Sequence, residues 1–216
     1  MLLRLDLHVH TRCSDDATTN PEVIAETVKK RGLHGVAVTE HDRPSSYRSG
    51  EIFVIPGIEV SSREGHVIGL GADKTVPKGL TVERTIELLR QQNSVVIVPH
   101  PYDLSSPSVD PLRLKVRIDG IETVNSGTIP FRLAKMKAEK AAKILGVSMV
   151  AGSDSHIPST IGDAYTLIEV SSASVEDILE SIRSGRTTPC GSATSLKNRF
   201  LGLKMVLARS YSISHV

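Results

Sequence analysis

The eight histidines are the main chemical resource of this chain. Six of them border short apolar runs: His8, His10, His41, His66, His100 and His156. His8-Val9-His10 alternates as a strand does, so its two imidazoles point to one side and can grip one cation. Asp6 shares that face and is expected to brace a ring. Asp154-Ser155-His156 repeats the alternation after another apolar run. Glu59 ends the stretch from Phe53 to Ile58, where a buried carboxylate is costly unless a cation or partner offsets it. Asp15 stands in the turn Cys13-Ser14-Asp15-Asp16. Each of these residues alone reads as an ordinary surface, capping or core group. Together, imidazoles and carboxylates at successive strand ends read as a metal cluster. With no thiolate among the donors, the set suits Zn²⁺, Mn²⁺ or Fe²⁺. More than one ion needs a bridging carboxylate, and Glu59 is the candidate. Divalent ions roughly 3.5–4 Å apart acidify a water and stabilise both oxygens of an in-line displacement, so phosphoester hydrolysis is the matching reaction.

The elements that must position these groups are legible as alternating strands and helices. Strand-like runs cover 2–10, 35–39, 53–58, 66–71, 94–98, 121–124, 148–151 and 165–170. They are continuous rather than alternating, as expected of strands covered on both faces. Helices are expected over 22–31 (behind Asn20-Pro21), 81–92, 131–145 (stopped by Gly146), 174–184 and 197–209. The stretches 43–52 and 101–118 read as loops. Such a βα series implies a largely parallel sheet, and ligands bind at the carboxyl ends of its strands. The His, Asp and Glu residues gather at those ends, which favours a closed barrel over an open sheet.

Composition narrows the function. The 216 residues suffice for one core, and a single domain over 1–216 is expected, its segment 197–216 forming a C-terminal helix and tail packed on the outside of the barrel. Twenty-six basic against 24 acidic residues leave +2, which argues against a polyanion track or a membrane partner. With seven aromatics and no Trp, base stacking is a poor prospect. Two cysteines build no disulfide framework, and Asp6 comes too early for a leader, so a cytoplasmic setting is expected.

HxHTxxSD at His8–Asp15, TEHD at 39–42, GIE at 57–59, HP at 100–101 and GSDSH at 152–156 resemble the motifs of the PHP family (polymerase and histidinol phosphatase), in the family's order. The resemblance implies an α/β fold, a distorted TIM-like (βα)7 barrel, with three divalent metal ions at the C-terminal face. It assigns His8, His10, Glu59 and Asp154 to one ion, Glu59, His66 and His100 to a second, and Asp15, His41 and His156 to a third. It implies attack by a metal-bridging hydroxide, with a metal-bound water, His156 or Asp154 protonating the leaving oxygen. Arg132 is the expected grip on a substrate phosphate, with Arg12, Arg43 and Arg63 as rivals. Among its branches the chain looks closest to stand-alone nucleotide phosphatases, although 101–119 is too short for their inserted helical segment. The expected activity is hydrolysis of small phosphomonoesters. A nuclease or phosphodiesterase on the same metals is the alternative, and a metal-binding scaffold a third.

Overall fold

The apolar runs become nine strands of one sheet. In the computed structural model these are β1 (Leu2–Val9), β2 (Gly35–His41), β3 (Phe53–Ser61), β4 (His66–Leu70), β5 (Val95–Val98), β6 (Gly120–Asn125), β7 (Ser148–Gly152), β8 (Ala164–Glu169) and β9 (Thr187–Gly191). The helices are α1 (Ile24–Lys30), α2 (Val82–Gln91), α3 (Phe131–Leu145), α4 (Val175–Arg183) and α5 (Leu196–Ile213). The structure describes residues 1–213, the last four by their helical backbone alone, and the expected tail at 214–216 lies outside them.

The order across the sheet is β7-β6-β5-β4-β3-β2-β1-β8-β9. It curls until β7 meets β1, where Val9 bridges Ser155 and His10 N donates to Ser155 O at 2.9 Å. The result is an α/β fold with a nearly closed barrel. Two expectations are corrected here. The sheet is mixed, because β4 runs antiparallel to both β3 and β5, and β8 to both β1 and β9. Only four residues, Ser62 to Gly65, join β3 to β4, enough for a hairpin and far too few for a parallel crossover. The hairpin carries His66 back to the rim that holds the other strands' carboxyl ends, opposite Ser61. The second correction is β9, an edge strand whose Pro189 and sparse apolar residues hide it in the sequence.

The barrel interior is filled by Leu3, Leu5, Leu7, Ile55, Ile68, Ile97 and Val150, and α4 closes its lower end with Ile178 and Ile182. Outside, α2 packs Ile86 and Leu89, and α3 its small face Ala138, Ala141 and Ala142, against β3–β6. Val9 faces the other way, under α1 beside Ile24 and Val28. Leu7 and Val9 lie two residues apart yet point to opposite sides, because the β1–β2 register shifts between Asp6 and Val9. That irregularity turns His8 and His10 toward the bowl above the apolar interior, the re-aiming that bulges commonly perform. It also separates them from Asp6.

Helix α5 is not confined to the outside of the barrel. It crosses the rim, where Arg199 and Arg209 donate to carbonyls of the loops after β6 and β1. Leu196, Phe200, Leu203 and Leu207 stay exposed along it.

Where β7 passes β1, a Cβ on Gly152 would lie 2.4 Å from His8 Cβ and 2.5 Å from Glu122 Oε1. Gly152→Ala is therefore expected to destabilise the protein by about 1–3 kcal/mol and to weaken divalent-metal binding as His8 shifts. Urea unfolding and metal titration of the variant check both.

Candidate metal centre

Six imidazoles and three carboxylates meet in one bowl at the rim. Glu59 is its hub. Its Oε1 lies 3.0 Å from His100 Nε2 and 3.1 Å from His66 Nδ1. Its Oε2 lies 3.4, 3.2 and 3.2 Å from His8 Nε2, His10 Nε2 and His41 Nδ1. The two oxygens of one buried carboxylate thus face two different groups of rings.

The outer nitrogens of the rings are already committed. His8 Nδ1 faces Glu122 Oε1 at 3.2 Å and must donate to it. Ser14 Oγ donates to Glu40 at 2.6 Å and accepts from His41 N, so His10 Nδ1 at 3.2 Å has to be its second donor. His156 Nδ1 donates to the Asp154 carbonyl at 2.9 Å. Neutral His8 and His10 therefore present bare lone pairs, Nε2 to Nε2, at 3.0 Å. Asp154 Oδ1 adds another acceptor 3.4 and 3.5 Å from them. Such spacings match the edges of a tetrahedron around an ion with bonds of about 2.0–2.2 Å. Among the described residues, the buried His66 Nδ1 and His100 Nδ1 find no aligned hydrogen-bond partner. One ligand atom from each member of three sets lies within 4.8 Å of the others: His8, His10 and Glu59; His41, Glu59 and His66; His10, His41 and His156. The residues fit a group of divalent cations.

Charge in the bowl is balanced by strong pairing. Burial alone would raise the Glu59 carboxyl, but His8, His10, His100 and His66 outweigh it and hold it well below the usual carboxylate range. Asp154 is held low in the same way, against its burial, by His8, His10, His156 and His100. Burial opposes a charge on His8, yet Asp154, Glu59 and Glu122 raise it well above an ordinary imidazole. His156 is pushed up to about 9, against its burial, by Asp16 and Asp154. His100 (φ 31°) and Asp154 (φ 54°) also hold left-handed backbone that side-chain-bearing residues rarely adopt. Strain of that kind costs about 1–3 kcal/mol per residue and clusters at functional sites.

Three expected residues stand elsewhere. Asp15 is exposed, and its neighbour Asp16 reaches the rings instead, 3.2 Å from His156 Nε2 and 3.3 Å from His41 Nε2. Asp6 touches no ring. It accepts from Ser153 N and Oγ and from Gly162 N, and burial pushes it up to about 6 despite those bonds. The carboxylate bracing His8 is Glu122, which also accepts from His100 N and Asn125 Nδ2. Arg132 is exposed on the first turn of α3, away from the cleft beside the bowl. That cleft, about 420 Å³, is lined by Asp15, Asp16, His41, His66, Arg43 and Lys78 among others. Glu122 could have been found by the argument applied to Glu59, that a carboxylate inside an apolar run needs a partner. The motif at His8–Asp15 points to Asp15 and gives no sign of Asp16, and Lys78 carries no local signal.

Known proteins resemble this chain in sequence and in fold. The PHP domain profile matches residues 6–54 and a PHP-associated profile residues 132–187. An uncharacterised protein of Methanocaldococcus jannaschii is 31% identical over 144 residues, which is 57% of this chain and 82% of the relative. The chain belongs to the PHP family. A second relative, the phosphoribosyl 1,2-cyclic phosphate 1,2-diphosphodiesterase of Eggerthella lenta, is 35% identical over 37% of each chain. Two solved structures share the fold. One is a two-domain Bacteroides vulgatus protein containing a predicted PHP-like metal-dependent phosphoesterase (TM-score 0.69, 19% identity, covering 89% of this chain and 65% of that one). The other is the lesion-specific endonuclease PfuEndoQ of Pyrococcus furiosus (TM-score 0.63, 17% identity, covering 88% and 58%). The present PHP chain thus spans about two thirds or less of both solved proteins. Among its described residues no helix is long and apolar enough to cross a membrane.

The pairing sets a pH dependence. In the metal-free protein His8, His41, His100 and His156 are raised above the ordinary imidazole value. Their contribution to stability is complete below about 6.5 and is lost as pH rises through their folded values, about 9 for His156. Glu59, Asp154 and Asp16 are lowered, so their contribution is present above about 4 and lost as pH falls through the depressed values. Metal must displace the imidazole protons, so affinity is expected to rise from about pH 6.5 to 9 with protons released on binding. Calorimetric metal titrations in two buffers of different ionisation enthalpy count those protons.

Proposed function

We propose that this chain hydrolyses small phosphomonoesters, nucleotides or compounds of similar size, at a centre of three divalent ions. The observation that carries the reading is Glu59, whose two oxygens serve two separate groups of imidazoles. His8, His10, Asp154 and Glu59 Oε2 would hold the first ion. Glu59 Oε1, His66 and His100 would hold the second. His41 and His156 would hold the third, with Asp16 in place of Asp15. When bound, the ions would acidify a water and neutralise the charge that develops on the phosphate oxygens.

The chain's own residues do the rest. Arg43 and Lys78 line the cleft beside His41 and His66 and are placed to bind and orient the phosphate. Arg132, which does not line that cleft, is given no part in it. His156 has one ring nitrogen facing the bowl, the Nε2 beside Asp16, since its Nδ1 is committed to the Asp154 carbonyl. A ligand and a proton donor cannot share that Nε2, and we assign it to the ion. Asp154, held well below the carboxylate range, has no proton to give near neutrality. The leaving oxygen's proton then comes from solvent at the cleft mouth. A cleft of about 420 Å³ suits a small substrate better than a polymer track.

A second reading, hydrolysis of phosphodiesters or oligonucleotides, is favoured by the rim. Helix α3 carries five basic residues and one acid, and α5 carries four basic residues and no acid, a concentration the net charge of +2 conceals. The Eggerthella relative acts on a cyclic phosphodiester and the Pyrococcus protein is an endonuclease.

Turnover of p-nitrophenyl phosphate, bis-p-nitrophenyl phosphate, mononucleotides and labelled oligonucleotides separates the two. Cleavage of the diester and polymer alone would overturn the first reading. Glu59→Gln is expected to lower kcat by at least about a thousandfold while the circular dichroism spectrum is unchanged. Activity retained in that variant would remove Glu59 from its bridging role. Arg43→Ala and Lys78→Ala are each expected to raise KM about tenfold with kcat little changed, the loss of one charge-assisted contact. Steady-state kinetics on the best monoester checks this.

A further inference from the structure

We propose that α5 is part of the metal centre, with Arg209 as a positioning residue that holds Asp16 against His41 and His156 and so sets the affinity of the third ion. The inference rests on the three-ion reading above. Arg209 donates to three carbonyls of the loop after β1: Nη1 to Ser14 O at 3.0 Å and to Ala17 O, and Nη2 to Arg12 O at 2.9 Å. These carbonyls bracket Asp16. The Asp16 side chain is half exposed, so packing does not hold it in place. Its position follows the loop backbone, which is tied at its feet by Arg12 N to Thr19 O at 2.8 Å. A guanidinium serves three carbonyls at once through its planar fork, and an ammonium cannot reproduce that pattern.

Arg199 repeats the device ten residues earlier. It donates to Ser126 O at 2.9 Å and Gly127 O at 2.7 Å. That loop follows Asn125, whose Nδ2 lies 3.3 Å from Asp154 Oδ2. Ten residues of helix span about 15 Å, so one rigid rod links the loops beside two acids of the bowl. An ordinary packed helix would bury its apolar stripe. Here Leu196, Phe200, Leu203 and Leu207 are left exposed, the opposite face at Gly202, Met205 and Val206 is only half buried, and the arginines add polar anchors to that shallow packing.

The test uses the full-length chain with Mn²⁺ as the probe, in wild type, Arg209→Ala, Arg209→Lys, Asp16→Asn and the double variant Arg209→Ala/Asp16→Asn. Native mass spectrometry counts bound ions, and competition with a chelator gives affinities. Arg209→Ala is expected to keep the wild-type circular dichroism and to weaken the most loosely held ion about ten- to a hundredfold. Arg209→Lys should recover little, and the double variant should bind no more weakly than Asp16→Asn alone. Unchanged affinity in Arg209→Ala, or losses that add in the double variant, would overturn the proposal. Should Arg209→Ala fail to fold, Arg209→Lys against Asp16→Asn decides by the same criterion. If wild type binds the ions yet cleaves no phosphoester, the hydrolase reading falls and the affinity cycle still judges Arg209. If Asp16→Asn binds as wild type does, Arg209 loses its role whatever the activity.

Discussion

A buried carboxylate facing five imidazole nitrogens is the constraint around which this molecule is organised. Glu59 lies at the bottom of the bowl, almost wholly removed from water. Without positive charge nearby, an ionised carboxylate in that position would be prohibitively costly. His8, His41 and His100, raised above an ordinary imidazole, favour the charged form beside it, and the inward ring nitrogens are aimed to meet it with cations instead. Orientation comes from a second layer: Glu122 behind His8, Ser14 and Glu40 behind His10, and the Asp154 carbonyl behind His156. Each fixes a tautomer, so the inward nitrogen of each ring is free to bind metal.

The barrel exists in the form that allows this convergence. Its apolar interior and the plug made by α4 need no polar group, and the chemistry is confined to the rim. Two departures from regularity direct side chains there. The register shift in β1 swings His8 and His10 inward after a stretch whose Leu3, Leu5 and Leu7 fill the interior. The β3–β4 hairpin delivers His66 to the rim at the start of a strand, where β1, β2, β3, β5 and β7 contribute residues at or just after their ends. Gly152 then lets β7 approach closely enough for Glu122 to reach His8.

Much of this was legible because strand-end placement is a local signal. An apolar run ending in His, Asp or Glu announces both a strand and a rim residue, and His8, His10, Glu59, His100, Asp154 and His156 follow from that rule, whereas His66 precedes its run. The 131–145 helix was equally plain, from the Gly146 that stops it, which the structure holds in the left-handed conformation. What the sequence concealed depends on tertiary detail. Strand direction is not written in hydropathy, so the reversal of β4 was missed. Asp6 and His8 share a face in an ideal strand, and only the bulge separates them. Asp15 and Asp16 are adjacent acids in one turn, and which of them turns inward is decided by carbonyls that Arg209, nearly two hundred residues away, draws toward α5.

The rigidity of the bowl is graded, and the gradient points toward the cleft. His8, His10, Glu59 and His100 are buried on or beside strands, braced by carboxylates and hydroxyls of the sheet. His41 and His156 are partly open, and Asp16 is on a surface loop held from outside by an arginine. Ions held by the first group would sit in a dry, preorganised setting, where a fixed charge acts most strongly on its neighbours. An ion held by the second group would border the cleft lined by Arg43 and Lys78. Tight holding and open access oppose each other in a single site. Here they are divided between a buried half and a partly open half, and the open half is the one that borders the cleft.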